Sequence, residues 1–127
     1  MDERALDELG RASYVSLATF RRDGRAVETP VWIAAVRGKL YAFSEGSAGK
    51  VKRLRNDPRV RLAPCGVRGR ILGPWVDGSA RVVSESDIEA RAYAALRRKY
   101  GWQMRLLDLG SRLAGRIDAR AVLEIEV

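Results

Sequence analysis

Between residues 13 and 43 the chain alternates apolar and polar positions with the period of extended strands. In residues 13–20, Tyr14, Ser16 and Ala18 fall on one side and Val15, Leu17 and Thr19 on the other. Both sides are largely apolar, which predicts a buried strand. Arg22-Asp23-Gly24 carries the Asp-Gly hairpin signal, and residues 25–36 follow as a second strand with Val27, Thr29, Val31 and Ile33 pointing one way. Pro30 lies in its middle; proline has no N–H for a sheet ladder, so an edge, a bulge or a break is expected there. Arg37-Gly38 turns the chain into a third strand at 39–43. Further strands are read at 59–64, with Val60 and Leu62 inward, at 75–84, and at 119–127.

Helical spacing governs the remainder. Residues 1–12 place Leu6 and Leu9 on one face, with Gly10 as the expected end. Residues 48–56 turn Val51 and Leu54 inward and stop at Asp57-Pro58. Ser86-Asp87-Ile88-Glu89 matches a capping box, followed by the stripe Ile88, Ala92, Leu96 and Tyr100. After Gly101, a second stripe runs through Trp102, Leu106, Leu109 and Leu113 to near Gly115. The sum is about six strands and three or four helices with mostly short hairpin connections, which favours an antiparallel sheet curled into a small barrel.

The chain has 127 residues, the size of one domain, and is 46% hydrophobic, enough for a core. We therefore read residues 1–127 as a single domain. No apolar run of membrane-spanning length and no secretory leader pattern are read, and the lone Cys65 excludes an internal disulfide and fits a reducing, cytoplasmic setting. Histidine is absent, which removes Ser-His and Cys-His catalysis and disfavours a zinc site; no acidic cluster is spaced for a hard metal. No metal ligands and no catalytic side chain are assigned. Any redox chemistry must then be carried by an organic cofactor. Twenty-four basic against 16 acidic residues leave a formal charge of +8, which points to an anionic partner or to a solvated basic surface.

The densest chemical signal is Ser47-Ala48-Gly49-Lys50-Val51-Lys52-Arg53, a small-residue turn at a helix start followed by basic side chains. The free N–H groups of a helix start favour an anion, Ser47 is placed to cap it, and Lys50 and Arg53 are neighbours at i, i+3. This equipment suits one phosphate group, and a solvated basic helix with Ser47 as an ordinary cap reads the same way. Gly46 and Gly49-Lys50 lack P-loop spacing, so nucleoside triphosphate hydrolysis is disfavoured. Thr29-Pro30-Val31-Trp32 offers unpaired backbone groups to the polar edge of a flat heterocycle, or is a plain edge-strand proline. The basic, glycine-rich stretch from Gly66 to Trp75 is either a ligand cover or a long hairpin connection.

The order Tyr14-Val15-Ser16-Leu17-Ala18-Thr19-Phe20, Arg22-Asp23-Gly24, Thr29-Pro30-Val31-Trp32, Leu40-Tyr41-Ala42-Phe43-Ser44, Gly49-Lys50-Val51-Lys52-Arg53-Leu54, Asp57-Pro58-Arg59-Val60, Ala63-Pro64-Cys65 and Arg68-Gly69 resembles the pyridoxamine 5'-phosphate oxidase-like FMN-binding split-barrel superfamily. Within it the chain is similar to the small F420-dependent oxidoreductases of the flavin/deazaflavin oxidoreductase B group. The resemblance implies a mainly antiparallel, six-stranded split β-barrel with helices, of α+β class, working as a homodimer with two cofactor sites between subunits. It implies that Lys50, Lys52 and Arg53 hold the cofactor phosphate and that Thr29, Pro30 and Val31 meet the ring. Trp32, Ser44, Ser47 and Gly49 complete the set, and Trp75 comes from the other subunit. It implies hydride transfer between C5 of coenzyme F420 and a conjugated planar small molecule, such as a biliverdin-like one.

Two other readings remain. An FMN-binding oxidase or flavin reductase of the same superfamily would use the same phosphate residues. A non-catalytic anion, haem or nucleic-acid binding module is the alternative of another class. Nucleic acid is disfavoured because no stacking pair of aromatics sits beside the basic run, and haem because no histidine is present to ligate iron. No membrane partner is expected.

Overall fold

The computed structural model describes residues 3–45, 48–115 and 120–127. Its elements are α1 (Glu3–Arg11), β1 (Tyr14–Phe20), β2 (Ala26–Val31), β3 (Ile33–Val36), β4 (Lys39–Glu45), α2 (Gly49–Asn56), β5 (Arg59–Cys65), β6 (Val76–Val82), α3 (Ser86–Tyr100), α4 (Trp102–Leu113) and β7 (Arg120–Glu126). The strands form one curled antiparallel sheet in the order β2-β1-β5-β6-β7-β4-β3. This is the split barrel of α+β class, with seven strands among the described residues where the periodicity gave six.

The extra strand arises at the proline-bearing segment. Alternation runs unbroken through 25–36, but the chain changes partner at Trp32: Val31 pairs with Val15 of β1, whereas Ile33 pairs with Ala42 of β4. One residue therefore joins the two opposite edges of the sheet. Pro30 lies in edge strand β2, where its missing N–H removes no second ladder.

The inner face packs Val15, Leu17, Val31, Ile33, Leu40, Ala42, Val60, Leu62, Leu123 and Ile125 around Leu9 of α1 and Leu54 of α2. Leu17, Ile33, Leu40, Leu62, Leu123 and Ile125 are wholly buried, and truncating any of them to alanine should cost about 2–5 kcal/mol. The outer face of β3 and β4 is covered by Leu96 and Tyr100 of α3 and Met104 of α4, with Trp32 and Phe43 packed against them.

Two local expectations are corrected, and the outward course of the α4 stripe is a further finding. Gly10 does not end α1, which runs to Arg11; a Cβ there would come within 2.9 Å of the Ala35 Cβ, so glycine permits the helix to approach β3. The capping box at Ser86 does not form: Ser86 is the first helical residue, the cap position is Glu85, and no side chain caps the helix. Glu85 instead accepts hydrogen bonds from Arg81. On α4 the apolar stripe faces outward: Trp102, Leu106, Leu109 and Leu113 are exposed, and the inward positions are Met104 and Asp108. Asp108 is held there by Arg120 at 2.6 Å and Arg97 at 3.0 Å.

Candidate functional site

Two threonines on the inner face and two cations of α2 make up the candidate site, and Thr19 joins them. In the β1–β2 register Val27 lies opposite Thr19 and Thr29 opposite Leu17, so Thr19 and Thr29 share the face that carries the core. Helix α2 starts immediately after Ala48, which occupies the cap position without a side-chain cap. Ser47, expected to cap, lies outside the described residues. The backbone N–H of Ala48 donates to the Glu45 carbonyl at 3.0 Å, tying the helix start to the end of β4.

Arg53 projects from α2 and donates from Nε to Thr19 Oγ1 at 2.7 Å. Its guanidinium lies back over the first turn, where a Cβ on Gly49 would stand 2.8 Å from Nη1. Lys50 is half-buried close by. Burial, then the Arg53 charge, lowers the Lys50 pKa; burial, then the Arg21 charge, lowers that of Arg53. Among the described residues neither makes an ion pair. Two cations thus repel each other while partly withdrawn from water, and a bound anion relieves both penalties.

Beside Arg53 opens a cleft of about 420 Å³, lined by Phe20, Arg21, Arg22, Arg53 and Arg59 among others. Its one carboxylate, Asp57, is taken by Arg59 at 2.8 Å, which holds the Asp57 carboxyl below the usual range. The cleft therefore carries a surplus of positive charge.

Thr29 supplies a second kind of signal. Its Oγ1 is buried and, among the described residues, is the one buried side-chain polar atom without a hydrogen-bond partner. Such an atom costs about 1–3 kcal/mol unless something else supplies the bond. A polar ring edge lying along β2 would do so.

The other expected site residues divide. Val31 is buried in the core face and Pro30 is exposed on the opposite one, with the 66–70 turn close by: a Cβ on Gly69 would be 3.7 Å from the Pro30 ring. Ser44 is buried on β4, which turns Leu40 and Ala42 to the inner face and so Ser44 with them. Lys52 is exposed on α2 and is not brought to Lys50 and Arg53. Trp32 is engaged elsewhere, stacked on Tyr100 at 4.4 Å and 8° beneath α3. Trp75 lies under the Arg61 guanidinium at 5.5 Å, beside strands β5 and β6 rather than β2. The stretch from Gly66 to Arg70 is a tight hairpin, closed by Gly66 N–H on the Arg70 carbonyl at 2.8 Å.

Sequence reasoning missed Thr19, Arg21 and Arg59. Thr19 could have been found as the one polar residue on the Val15–Leu17 side of β1. Arg21 and Arg59 become neighbours only because β1 and β5 pair. Cys65 is buried, and burial raises its thiol pKa, so it is a poor nucleophile. Among the described residues no three potential metal ligands converge, and no helix is long and apolar enough to cross a membrane.

A model of the pyridoxamine 5'-phosphate oxidase family matches residues 1–127. The chain belongs to that family. Solved structures share its fold. A conserved hypothetical protein, Rv2991, from Mycobacterium tuberculosis is 21% identical with a TM-score of 0.70, covering 98% of this chain and 79% of that one. The heme storage protein HutZ from Vibrio cholerae is 14% identical with a TM-score of 0.71, covering 98% and 88%. A FAD-binding protein from Mesorhizobium loti is 20% identical with a TM-score of 0.64, covering 100% and 88%. No curated protein matches the chain in sequence.

Proposed function

We propose that this family member binds a phosphorylated flavin or deazaflavin and acts as an oxidoreductase, with coenzyme F420 as the preferred cofactor. The observation that carries the reading is the pair Lys50 and Arg53 on α2, partly desolvated and, among the described residues, without an acidic partner. Their environment suits a phosphate. The partnerless Thr29 Oγ1 on the same face of β1–β2 as Thr19 suits the polar edge of a ring.

In this reading Lys50 and Arg53 bind the phosphate, Thr19 holds Arg53 in place, and Thr29 with the β2 backbone orients the ring. When bound, reduced F420 supplies a hydride from C5 to a conjugated planar acceptor, which takes its balancing proton from water. The arginine-lined cleft next to Arg53 suits the acidic tail that distinguishes F420 from FMN. FMN, which has no such tail, is the second reading, and the phosphate residues serve it equally. The lack of histidine argues against haem here, whatever the relative from Vibrio cholerae stores.

A homodimer belongs to the same proposal. The outward stripe of α4 and the exposed Val67 and Leu72 offer apolar surface for a second copy.

Parallel fluorescence titrations with F420 and FMN test the cofactor. Lys50→Ala should weaken whichever one binds by about 1.5–3 kcal/mol, roughly ten- to a hundredfold. Unchanged affinity in that variant would remove Lys50 from the site, and no binding of either cofactor to the parent protein would end the redox reading.

A further inference from the structure

The joint between β2 and β3 is held by two consecutive side chains of α3. Tyr100 accepts a hydrogen bond from the Ile33 N–H at 3.0 Å and donates to the Ser13 carbonyl at 2.8 Å. Lys99 donates from Nζ to the carbonyls of Gly10 at 2.9 Å, Ala12 at 2.7 Å and Ile33 at 2.6 Å. The three N–H bonds of an ammonium thus meet three backbone oxygens, from the end of α1, the α1–β1 link and the start of β3. Burial lowers the Lys99 pKa to about 8, which leaves the ammonium protonated at neutral pH. Trp32, the joining residue, lies flat on the Tyr100 ring.

This arrangement exists because β2 and β3 are opposite sheet edges and make no ladder with one another. Both polar groups of Ile33 are met by Lys99 and Tyr100. The joint therefore fixes where β2 ends, and Thr29 and Val31 lie four and two residues before Ile33.

We propose that Lys99 and Tyr100 are positioning residues for the cofactor ring, acting through the Val31–Trp32–Ile33 joint while leaving the phosphate grip on α2 untouched. The proposal rests on the cofactor reading above. Among the described residues neither side chain hydrogen-bonds the α2 cations: Lys99 bonds α1, the α1–β1 link and β3, and Tyr100 bonds Ser13 and Ile33. Loosening the joint shifts the strand that meets the ring and spares Lys50, Arg53 and Thr19.

Tyr100→Phe, which keeps the ring stacked on Trp32, and Lys99→Met are titrated with FMN, with F420 and with inorganic phosphate as competitor. Glu124→Gln, whose hydrogen bonds come from Tyr41 and Arg81 and from neither the joint nor α2, serves as a reference for general loss of stability. Both joint variants should bind the flavin or deazaflavin about tenfold more weakly and change the visible circular dichroism of the bound ring. Their affinity for phosphate should stay that of the parent, and the reference variant should change neither signal. If Lys99→Met fails to fold, Tyr100→Phe alone decides. Parent-like affinity and circular dichroism in folded Tyr100→Phe overturn the proposal, as does an equal loss of cofactor and phosphate binding. A parent protein that binds neither cofactor overturns the cofactor reading itself, and that arm separates the two failures.

Discussion

Arg53 of α2 reaches across to β1 and gives its Nε–H to Thr19 Oγ1 at 2.7 Å. The bond fixes the guanidinium on the inner face of the barrel, and its room comes from the missing side chain at Gly49.

Gly49→Ala separates binding from folding. The new Cβ would meet only the far end of Arg53, which can swing away, and alanine favours the helix by up to about 1 kcal/mol. We expect thermal stability to hold or rise while affinity for FMN or F420 falls, read by a melting curve and a fluorescence titration on the same sample. Unchanged affinity would show that Arg53 need not lie where it does.

The arginine cleft makes a prediction about cofactor choice. Arg21 and Arg22 are exposed, so each contact to a tail carboxylate is worth no more than about 1 kcal/mol and is screened by salt. Arg21→Ala with Arg22→Ala should weaken F420 by about tenfold at low ionic strength, less at high, and leave FMN where it was. Equal effects on both cofactors would place the tail elsewhere.

The outward stripe of α4 predicts an association surface. Trp102 and Leu113 are 69% and 81% exposed, at the two ends of the helix. Leu106→Glu with Leu109→Glu should convert a dimer to monomers in light scattering coupled to gel filtration, with far-ultraviolet circular dichroism preserved. A dimer that survives the double change uses another face.

Acid lability should centre on Glu124. Burial alone would raise its carboxyl, but hydrogen bonds from Tyr41 at 2.7 Å and Arg81 at 2.9 Å, with the Arg81 and Lys39 charges, hold it below the usual range. A carboxyl depressed in the fold adds stability above its unfolded pKa, and that share is lost as pH falls through the folded value. Urea midpoints of the parent should therefore drop below about pH 4.5, and Glu124→Gln, weaker at pH 7, should show a shallower acid slope. Parallel pH curves for the two proteins would rule Glu124 out as the source.

Most of this fold was legible because its signals are local. The alternation in β1, the Asp-Gly turn, Val51 and Leu54 on α2 and the closing strand all follow from the period of the chain. The joint at Trp32 was not legible beyond the proline warning, since the change of partner from β1 to β4 depends on which distant strands pair. The α4 stripe has helical spacing whether it is covered by the same chain or left outward, so periodicity gave the helix and not its neighbour. The site followed the same division. Lys50 and Arg53 stand out as a run, whereas Thr19 and Arg21 enter only through register and tertiary approach.

The sheet order has one more consequence, for biosynthesis. Among the described residues, strand β7 is the sole link by ladder between β6 and β4. Until Arg120–Glu126 has been made, the nascent chain can assemble only a four-stranded piece, β2-β1-β5-β6, and a separate β4-β3 hairpin, tethered at Trp32. A ribosome stalled short of that segment would hold two unfinished sheets with bare edges, and the final seven residues of ladder turn them into one.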